Sequence, residues 1–439
     1  MYLYSQQLER ARSGRPIRVG LIGAGKFGSM FLAQVPTTPG LTLSVIADLD
    51  ADRARETCAS LGWSPELLAG TRFTDDAMAM LRSGDVDVVV EATGDPASGV
   101  VHAQEAIRNA LHTVMVNVEA DVLAGALLAQ EARQAGVVFS MAYGDQPALT
   151  CELVEWARST GFDVVAAGKG TKYLPAYHAA TPETVWDHYG LTPEQARSAG
   201  MNSKMFNSFL DGTKSALEMA AIANATGLTP PPDGLAFPPA GMDDLAHVLR
   251  PANEGGQLHH SGQVEVVSSL ERDGRPVHKD LRWGVYVVIK APNEYTAACF
   301  RQYGMNTDAS GRYSAMFKPF HLIGLELNMS ILSAALLNRP TGSTQDFTAD
   351  VIATAKRDLK AGEVLDGEGG FTVWGKLYTA HESLRTGGLP IGLATHVTLT
   401  ADVAANQPVR WQDVDIDDSQ AAVKVRMLLE TQERPRHGL

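Results

Sequence analysis

The sequence predicts an α/β protein: a helix-covered parallel sheet at the N-terminus, an α+β region behind it and a small β domain at the end. Three observations carry this. Strand-like apolar runs and helical patterns alternate regularly through residue 142, the signature of a parallel sheet with helices on both faces. A glycine triplet, Gly23, Gly25 and Gly28, separates the first strand pattern from the helical pattern behind it. After residue 149 the alternation is lost, and near Ala349 a faint internal repeat begins. The expected domains are 1–150, 151–348 and 349–439.

Residues 1–16 mix polar and apolar positions and carry Glu9, Arg10, Arg12 and Arg15. They lack the apolar core of a signal peptide and read as a short helix laid on the first domain. A strand over 17–22 then breaks into the triplet and a helix over 26–34, opened by Lys26 and Phe27. A second strand, 41–47, ends at Asp48. Strand, Gly-x-Gly-x-x-Gly, helix, strand and acid in that order are the dinucleotide-binding fingerprint of a Rossmann domain. Gly23 permits the tight turn, Gly25 lets a pyrophosphate approach the backbone, and Gly28 lets helix and strand pack closely. The phosphates would sit on the unpaired N–H groups of the helix start. Asp48 would accept from the adenosine 2′-hydroxyl, which favours NAD; Lys26, Arg53 and Arg55 could offset its charge against a 2′-phosphate.

Helices follow over 50–61, 75–81, 97–109 and 120–134, with strands over 86–91, 113–118 and 137–141. Ligands bind beyond the carboxyl ends of such strands. Thr93, Gly94, Asn117 and Glu119 stand at two of those ends and are expected to contact the ribose and carboxamide. Glu119 has a second reading as a favourable charge at a helix start. Asp145 and Gln146, before Pro147, cap a turn or meet substrate.

Composition narrows the function classes. Thirty-seven basic against fifty acidic residues leave a net charge of −13, which disfavours nucleic acid and anionic membrane as main partners. Cys58, Cys151 and Cys299 form no disulfide framework or zinc spacing, so a reducing cytoplasm is the expected compartment. The longest apolar helical stretch, 322–337, contains Glu326 and Asn328 and is too short to span a membrane.

The second region reads as a helix over 151–159, a strand over 163–167, a lysine-rich turn, a long helix over 206–225 and a Pro/Gly-rich loop over 228–251. Paired strands over 264–270 and 283–289, a strand over 311–317 and the helix over 322–337 complete it. The loop is an active-site lid or a stiff surface connection. Carbonyl reduction needs a proton donor beside the alkoxide, and lysine serves when burial or a second cation lowers its pKa. Lys169, Lys172, Lys204 and Lys214 are the candidates. Lys204, Asn207 and Asp211 share one helical face, which puts Lys204 or Lys214 on the substrate oxygen with Asp211 orienting it. The competing reading is a solvated face whose ion pairs contribute ~0.3–0.5 kcal/mol each. Lys169, Asn207, Arg312 and Lys318 would hold an anionic group of the substrate. His259 and His260 lack a third ligand at useful spacing, so no metal site is expected there. The repeat aligns Asp358 to Leu365 with Asp402 to Val409, which predicts two similar halves. The charged end, 430–437, is expected to fray.

The stretches 20–26, 114–121, 142–149, 169–173 and 211–216 together resemble the homoserine dehydrogenase superfamily. The segment 354–415 resembles a SAF (β-clip-like) domain. The combination is similar to bacterial SAF-containing, homoserine-dehydrogenase-like oxidoreductases and their reductoisomerase-like branch of isoprenoid biosynthesis. That resemblance implies NADP, a small anionic hydroxy-carbonyl substrate, reductive isomerisation of deoxyxylulose phosphate, an optional divalent cation and a homodimer or higher homo-oligomer. Oxidation of homoserine or a sugar acid is the alternative within enzymes. A non-catalytic NAD(P)-sensing or assembly protein is the alternative outside them.

Overall fold

The computed structural model describes residues 3–439. The chain divides into two compact units, Met1–Leu149 with Leu322–Gln345, and Thr150–His321 with Asp346–Leu439.

The first unit is built on six parallel strands: β1 (Ile17–Ile22), β2 (Leu41–Ala47), β3 (Arg72–Thr74), β4 (Val88–Glu91), β5 (His112–Met115) and β6 (Phe139–Met141). Their order is β3-β2-β1-β4-β5-β6. After β3 the chain returns to the middle of the sheet and continues beside β1. The crevice for a ligand therefore opens at the carboxyl ends of β1 and β4. The one strand the sequence reading did not include is β3, whose three residues are too few to show a period. Strand 113–118 stops early, because Asn117 caps a helix that begins at Val118.

Both faces of the sheet are covered. Leu21, Phe31, Val90 and Val114 belong to one buried cluster and Ile22, Val45, Met80 and Val89 to the other. The helix Leu3–Arg12 packs on this unit, and a Cβ at Gly40 would sit 2.3 Å from the Gln7 carbonyl oxygen. Expected as one helix, 322–337 is instead a set of turns, a short helix Asn328–Leu332 and a π-helical turn Ser333–Leu337. Gly324 bends it with a φ of +75°, where a Cβ would lie 2.7 Å from that of Met30. Its Leu327, Ile331 and Leu332 enter the first cluster.

The second unit holds a mixed sheet of order β10-β9-β7-β8, formed by β7 (Asp163–Thr171), β8 (Gln263–Ser268), β9 (Val285–Lys290) and β10 (Tyr313–Lys318). Two expectations are corrected here. The strands predicted as direct partners, β8 and β9, are separated by β7, which runs parallel to one and antiparallel to the other. The lysine-rich turn is the end of β7: a Cβ at Gly168 would lie 1.9 Å from the Glu265 carbonyl oxygen and one at Gly170 2.0 Å from that of Leu281. Those glycines let neighbouring backbone approach a continuous strand.

The expected long helix is two, Ser203–Asp211 and Thr213–Thr226, broken at Gly212 with a φ of +94°. The remaining strands are β11 (Ala349–Ala355), β12 (Val364–Asp366), β13 (Val373–Thr379), β14 (Thr395–Leu399) and β15 (Val414–Asp415). The repeat is visible in backbone chemistry. Leu359 and Val403 exchange hydrogen bonds of 2.8 and 3.0 Å. Asp402 accepts from the Ala361 N–H at 2.9 Å, and Asp358 from that of Ala405 at 2.8 Å. Equivalent aspartates thus cap each other's turns. The chain end does not fray. Arg426, fully buried on the helix Ala421–Glu433, pairs with Asp350 and with Glu430 at 2.9 Å, and the turn Arg434–His437 follows. Among the described residues no helix is long and apolar enough to cross a membrane.

Candidate functional site

Of the two units, the first carries a complete coenzyme loop. Gly23 has a φ of +93°, and a Cβ there would meet the Ala92 carbonyl oxygen at 2.7 Å. Only glycine gives that turn so close to β4. Gly28 is closed off in the same way, with the Gly23 carbonyl oxygen 2.4 Å from its Cβ position. Gly25 differs. Its Cβ position has nothing within 4 Å, and it opens the helix Lys26–Gln34 with no side-chain cap. Open space over uncapped N–H groups is the cradle a pyrophosphate needs. Lys26 is exposed at this edge, and Phe27 packs down on the core.

Asp48 is held in place before any ligand arrives. Its carboxylate accepts from the Ala24 N–H at 2.8 Å and the Asp50 N–H at 3.0 Å. Arg53 pairs with it at 3.2 Å through a side chain that remains 65% exposed. Arg55 lies 5.4 Å from the Phe73 ring centre instead.

Thr93, Gly94 and Asn117 cluster at the ends of β4 and β5. The Thr93 hydroxyl donates to buried Glu91 at 2.6 Å, and His102 lies 3.3 Å from the same oxygen. The other Glu91 oxygen is buried with no partner. Asn117 donates to the Asp95 carbonyl at 2.8 Å and accepts from the Ala120 N–H at 3.1 Å. It holds the turn in which Gly94 sits at φ +71°. Glu119 is buried in the first turn of the following helix. Asp121, one turn into that helix, accepts from the Thr344 hydroxyl at 3.0 Å, and burial pushes its pKa up to about 7. Asp145 accepts from the Gln146 N–H at 2.9 Å, a local turn contact.

Three of the four candidate lysines of the second unit have separate partners. Lys169 pairs with Glu218 in the interior. Lys172 donates to the His188 carbonyl, lies 5.4 Å from the Tyr189 ring centre, and has its pKa lowered by burial and by Arg282. Lys204 is exposed and donates to the Asp366 carbonyl at 2.5 Å. Lys214 is half-buried on the next helix. Arg312 pairs with Glu294 and Lys318 with Glu152. The rise of a strand keeps Arg312 and Lys318 ~20 Å apart, so they do not converge.

Asn207 and Asp211 do come together, around a lysine that sequence reasoning missed. Lys356 pairs with Asp211 at 2.8 Å and donates to the Ala180 and Gly370 carbonyls at 2.7 Å each. Asn207 donates to the Ala180 and Gly369 carbonyls at 3.0 and 2.9 Å. Burial raises the Asp211 pKa, and Lys356 opposes that. His178 was missed too. Its Nδ1 lies 2.6 Å from the Asp211 carbonyl, which can only accept, so Nδ1 carries the proton. Its Nε2 then accepts from the Tyr173 hydroxyl at 3.0 Å. Burial lowers the His178 pKa. No local motif marks Lys356 or His178; their partners come from remote parts of the chain.

The Pro/Gly-rich loop is tied down. Buried Glu265 accepts from the Ala236 N–H at 3.2 Å and the Phe237 N–H at 3.3 Å. His259 and His260 lie 3.1 Å apart, with Thr229 at 2.6 Å from the second. Among the described residues no three His, Cys, Asp or Glu are placed to hold a metal.

Residues 17–143 match the GFO/IDH/MocA family, described as an oxidoreductase family with an NAD-binding Rossmann fold. Residues 144–327 match the family described as Oxidoreductase DRL, catalytic domain. Inositol 2-dehydrogenase 2 of Paenarthrobacter aurescens (strain TC1) is 38% identical over 81 residues, 18% of this chain and 22% of that protein. The chain therefore matches under a quarter of that relative's length. The solved myo-inositol dehydrogenase of Lactobacillus casei, in complex with NAD(H) and myo-inositol, is 14% identical with a TM-score of 0.29; the match covers 39% of this chain and 50% of that one. A probable dehydrogenase from Thermotoga maritima is 15% identical with a TM-score of 0.39, covering 74% and 90%. The first unit is an NAD(P)-binding Rossmann domain, and both matched families are oxidoreductases.

These matches correct the expected kinship with SAF-containing, homoserine-dehydrogenase-like and reductoisomerase-like enzymes. The motifs that suggested it have structural work in this chain. Lys169 to Tyr173 is a strand end thinned by glycine for close packing, and Asp211-Gly212-Thr213 is a helix junction. Packing motifs of that kind do not specify a substrate.

Proposed function

We propose that this protein is an NAD(P)-dependent dehydrogenase or reductase of a small polyhydroxylated compound. The observation that carries the reading is the glycine loop: closed at Gly23 and Gly28, open at Gly25, with Asp48 fixed beside it. When bound, the coenzyme supplies or accepts a hydride. The backbone from Gly23 to Gly28 would hold its pyrophosphate, and Asp48 a ribose hydroxyl. Two backbone N–H groups fix the Asp48 carboxylate, so a 2′-phosphate would face a charge that cannot swing away. NAD is the favoured coenzyme on that ground, with Arg53 as the counterweight. Arg53→Ala is expected to widen the NADH-over-NADPH preference about tenfold, equivalent to ~1.4 kcal/mol. An unchanged ratio would remove Arg53 from the coenzyme site.

Lys172 is the proposed proton donor to the alkoxide. Burial, with Arg282 beside it, lowers its pKa, the direction that favours release of its proton. The partial likeness to an inositol dehydrogenase makes polyols the first substrates to try, followed by aldonic acids and sugar phosphates. The test is calorimetric titration with NADH and NADPH, then nicotinamide absorbance across that panel. Binding of a coenzyme and turnover of a panel member are expected, with kcat falling at least a hundredfold in Lys172→Met. Failure of both coenzymes to bind would overturn the reading.

A further inference from the structure

The second unit contains a cavity of about 210 Å³ whose lining residues all belong to that unit. His178, Phe237, Thr354, Trp374, Lys376 and Asn406 line it, with Asp233 exposed among them. Four of those six lie beyond residue 327, outside both family matches.

Its wall is rigid. His178 stacks on Trp374 at 3.9 Å between ring centres, and Tyr173 stacks on Phe237 at the same distance. The His178 ring is locked by hydrogen bonds at both nitrogens. The Lys376 ammonium is not engaged by the one carboxylate of the lining, Asp233. Lys376 has its ammonium 5.4 Å from the Tyr378 ring centre, and no carboxylate pairs with it among the described residues. That ammonium also helps hold the His178 pKa down. Within the same wall the Trp374 indole N–H is buried without a partner. A buried donor left unpaired costs ~1–3 kcal/mol, so the wall lacks an acceptor for that N–H as well as a carboxylate paired with Lys376.

We propose that this cavity binds a small organic anion, a carboxylate- or phosphate-bearing hydroxy compound, with its charged oxygens on Lys376. The aromatic wall takes the carbon skeleton, and the Thr354 hydroxyl and Asn406 amide are at hand for its hydroxyls. Both His178 ring nitrogens are taken by Tyr173 and the Asp211 carbonyl, so the cation free to meet a ligand is the ammonium. The site is independent of the redox reading, because its residues share nothing with the glycine loop.

The test uses the full chain and two probes, inorganic phosphate and D-gluconate, titrated by calorimetry with and without saturating NADH. At least one probe is expected to bind at one site per chain; which of them does so separates phosphate from carboxylate ligands. Lys376→Met should weaken that binding at least tenfold, while Lys376→Arg keeps it within threefold. NADH titration and the thermal midpoint should be unchanged in both, which separates a lost ligand contact from a lost fold. Absence of binding by both probes, or equal binding by Lys376→Met, would overturn the proposal. A failure to bind NADH would bear on the redox reading alone.

Discussion

Gly25 and Gly28 lie three residues apart and do opposite work. A side chain at Gly28 meets backbone, the Gly23 carbonyl oxygen at 2.4 Å, whereas one at Gly25 meets open space. Gly28→Ala should therefore destabilise the fold by ~1–3 kcal/mol. Gly25→Val should leave the thermal midpoint within a degree or two and weaken NADH binding at least tenfold, because it fills the pyrophosphate cradle. Thermal scans and coenzyme titrations on the two variants check this; similar behaviour in both would be the wrong outcome. Asp121 gives a pH dependence. Burial raises its pKa to about 7, above the ordinary ~3.9 of the unfolded chain. The folded state holds the proton more tightly, so this stabilisation is complete below about pH 4 and is lost as pH rises toward 7. The full swing is about 4 kcal/mol. Asp121→Asn should flatten the fall in urea-unfolding free energy between about pH 5 and pH 8, and an identical slope in the variant would count against it. The glycine triplet and Asp48 were legible because their meaning is set by spacing along a few residues. Lys356 was not, because its role depends on Asp211 and the Ala180 carbonyl, both remote in sequence.

At the scale of elements, the same distinction decides what could be read. Strands β1, β2 and β4 and the helices read over 26–34, 50–61 and 75–81 follow from local periodicity, and their observed bounds lie close to those expected, whereas the short helix Pro65–Gly70 was not read. The helix over 206–225 was read as one because its apolar period continues across Gly212. A glycine inside a helix costs only ~1 kcal/mol and does not announce a stop. The stop is a tertiary fact: at φ +94°, Gly212 turns the chain where a Cβ would lie 3.1 Å from the His178 ring. Gly212→Ala is expected to lower stability by ~1–3 kcal/mol and to weaken anion binding in the adjoining cavity. Urea unfolding measures the first, and a variant as stable as wild type would mean the junction tolerates a normal helix. Sheet order was the least legible property. Strands β8 and β9 are successive along the chain, which invites direct pairing, yet β7 lies between them. The C-terminal repeat succeeded where β8 and β9 failed, because Asp358 and Asp402 repeat a chemical role as well as a pattern.

At the scale of the molecule, the first unit is discontinuous in sequence, and this has an energetic consequence. Residues 1–149 contain every strand and the whole coenzyme loop, but not the whole core. Leu327, Ile331 and Leu332 return from the far side of the second unit's first segment to bury against Leu21, Phe31 and Val90. The same segment supplies Gly342, whose carbonyl accepts from the Met141 N–H of β6 at 2.8 Å. Thr341 and Ser330 join hydroxyl to hydroxyl at 2.5 Å beside it. Burying three such side chains contributes ~5–9 kcal/mol, as much as the entire net stability of many domains. A fragment of residues 1–149 alone is therefore expected to lack a cooperative thermal transition and to bind no NADH, although its motif is intact. The repair follows from the geometry of the return. Gly144 lies so near Leu322 that a Cβ would sit 2.8 Å from its carbonyl oxygen. A short Gly/Ser linker from residue 149 to residues 322–345 should restore both a cooperative transition and coenzyme binding. If the unrepaired fragment melted cooperatively and bound NADH as tightly as the full chain, the returning segment would be ornament, and the core would have to close on 1–149 alone.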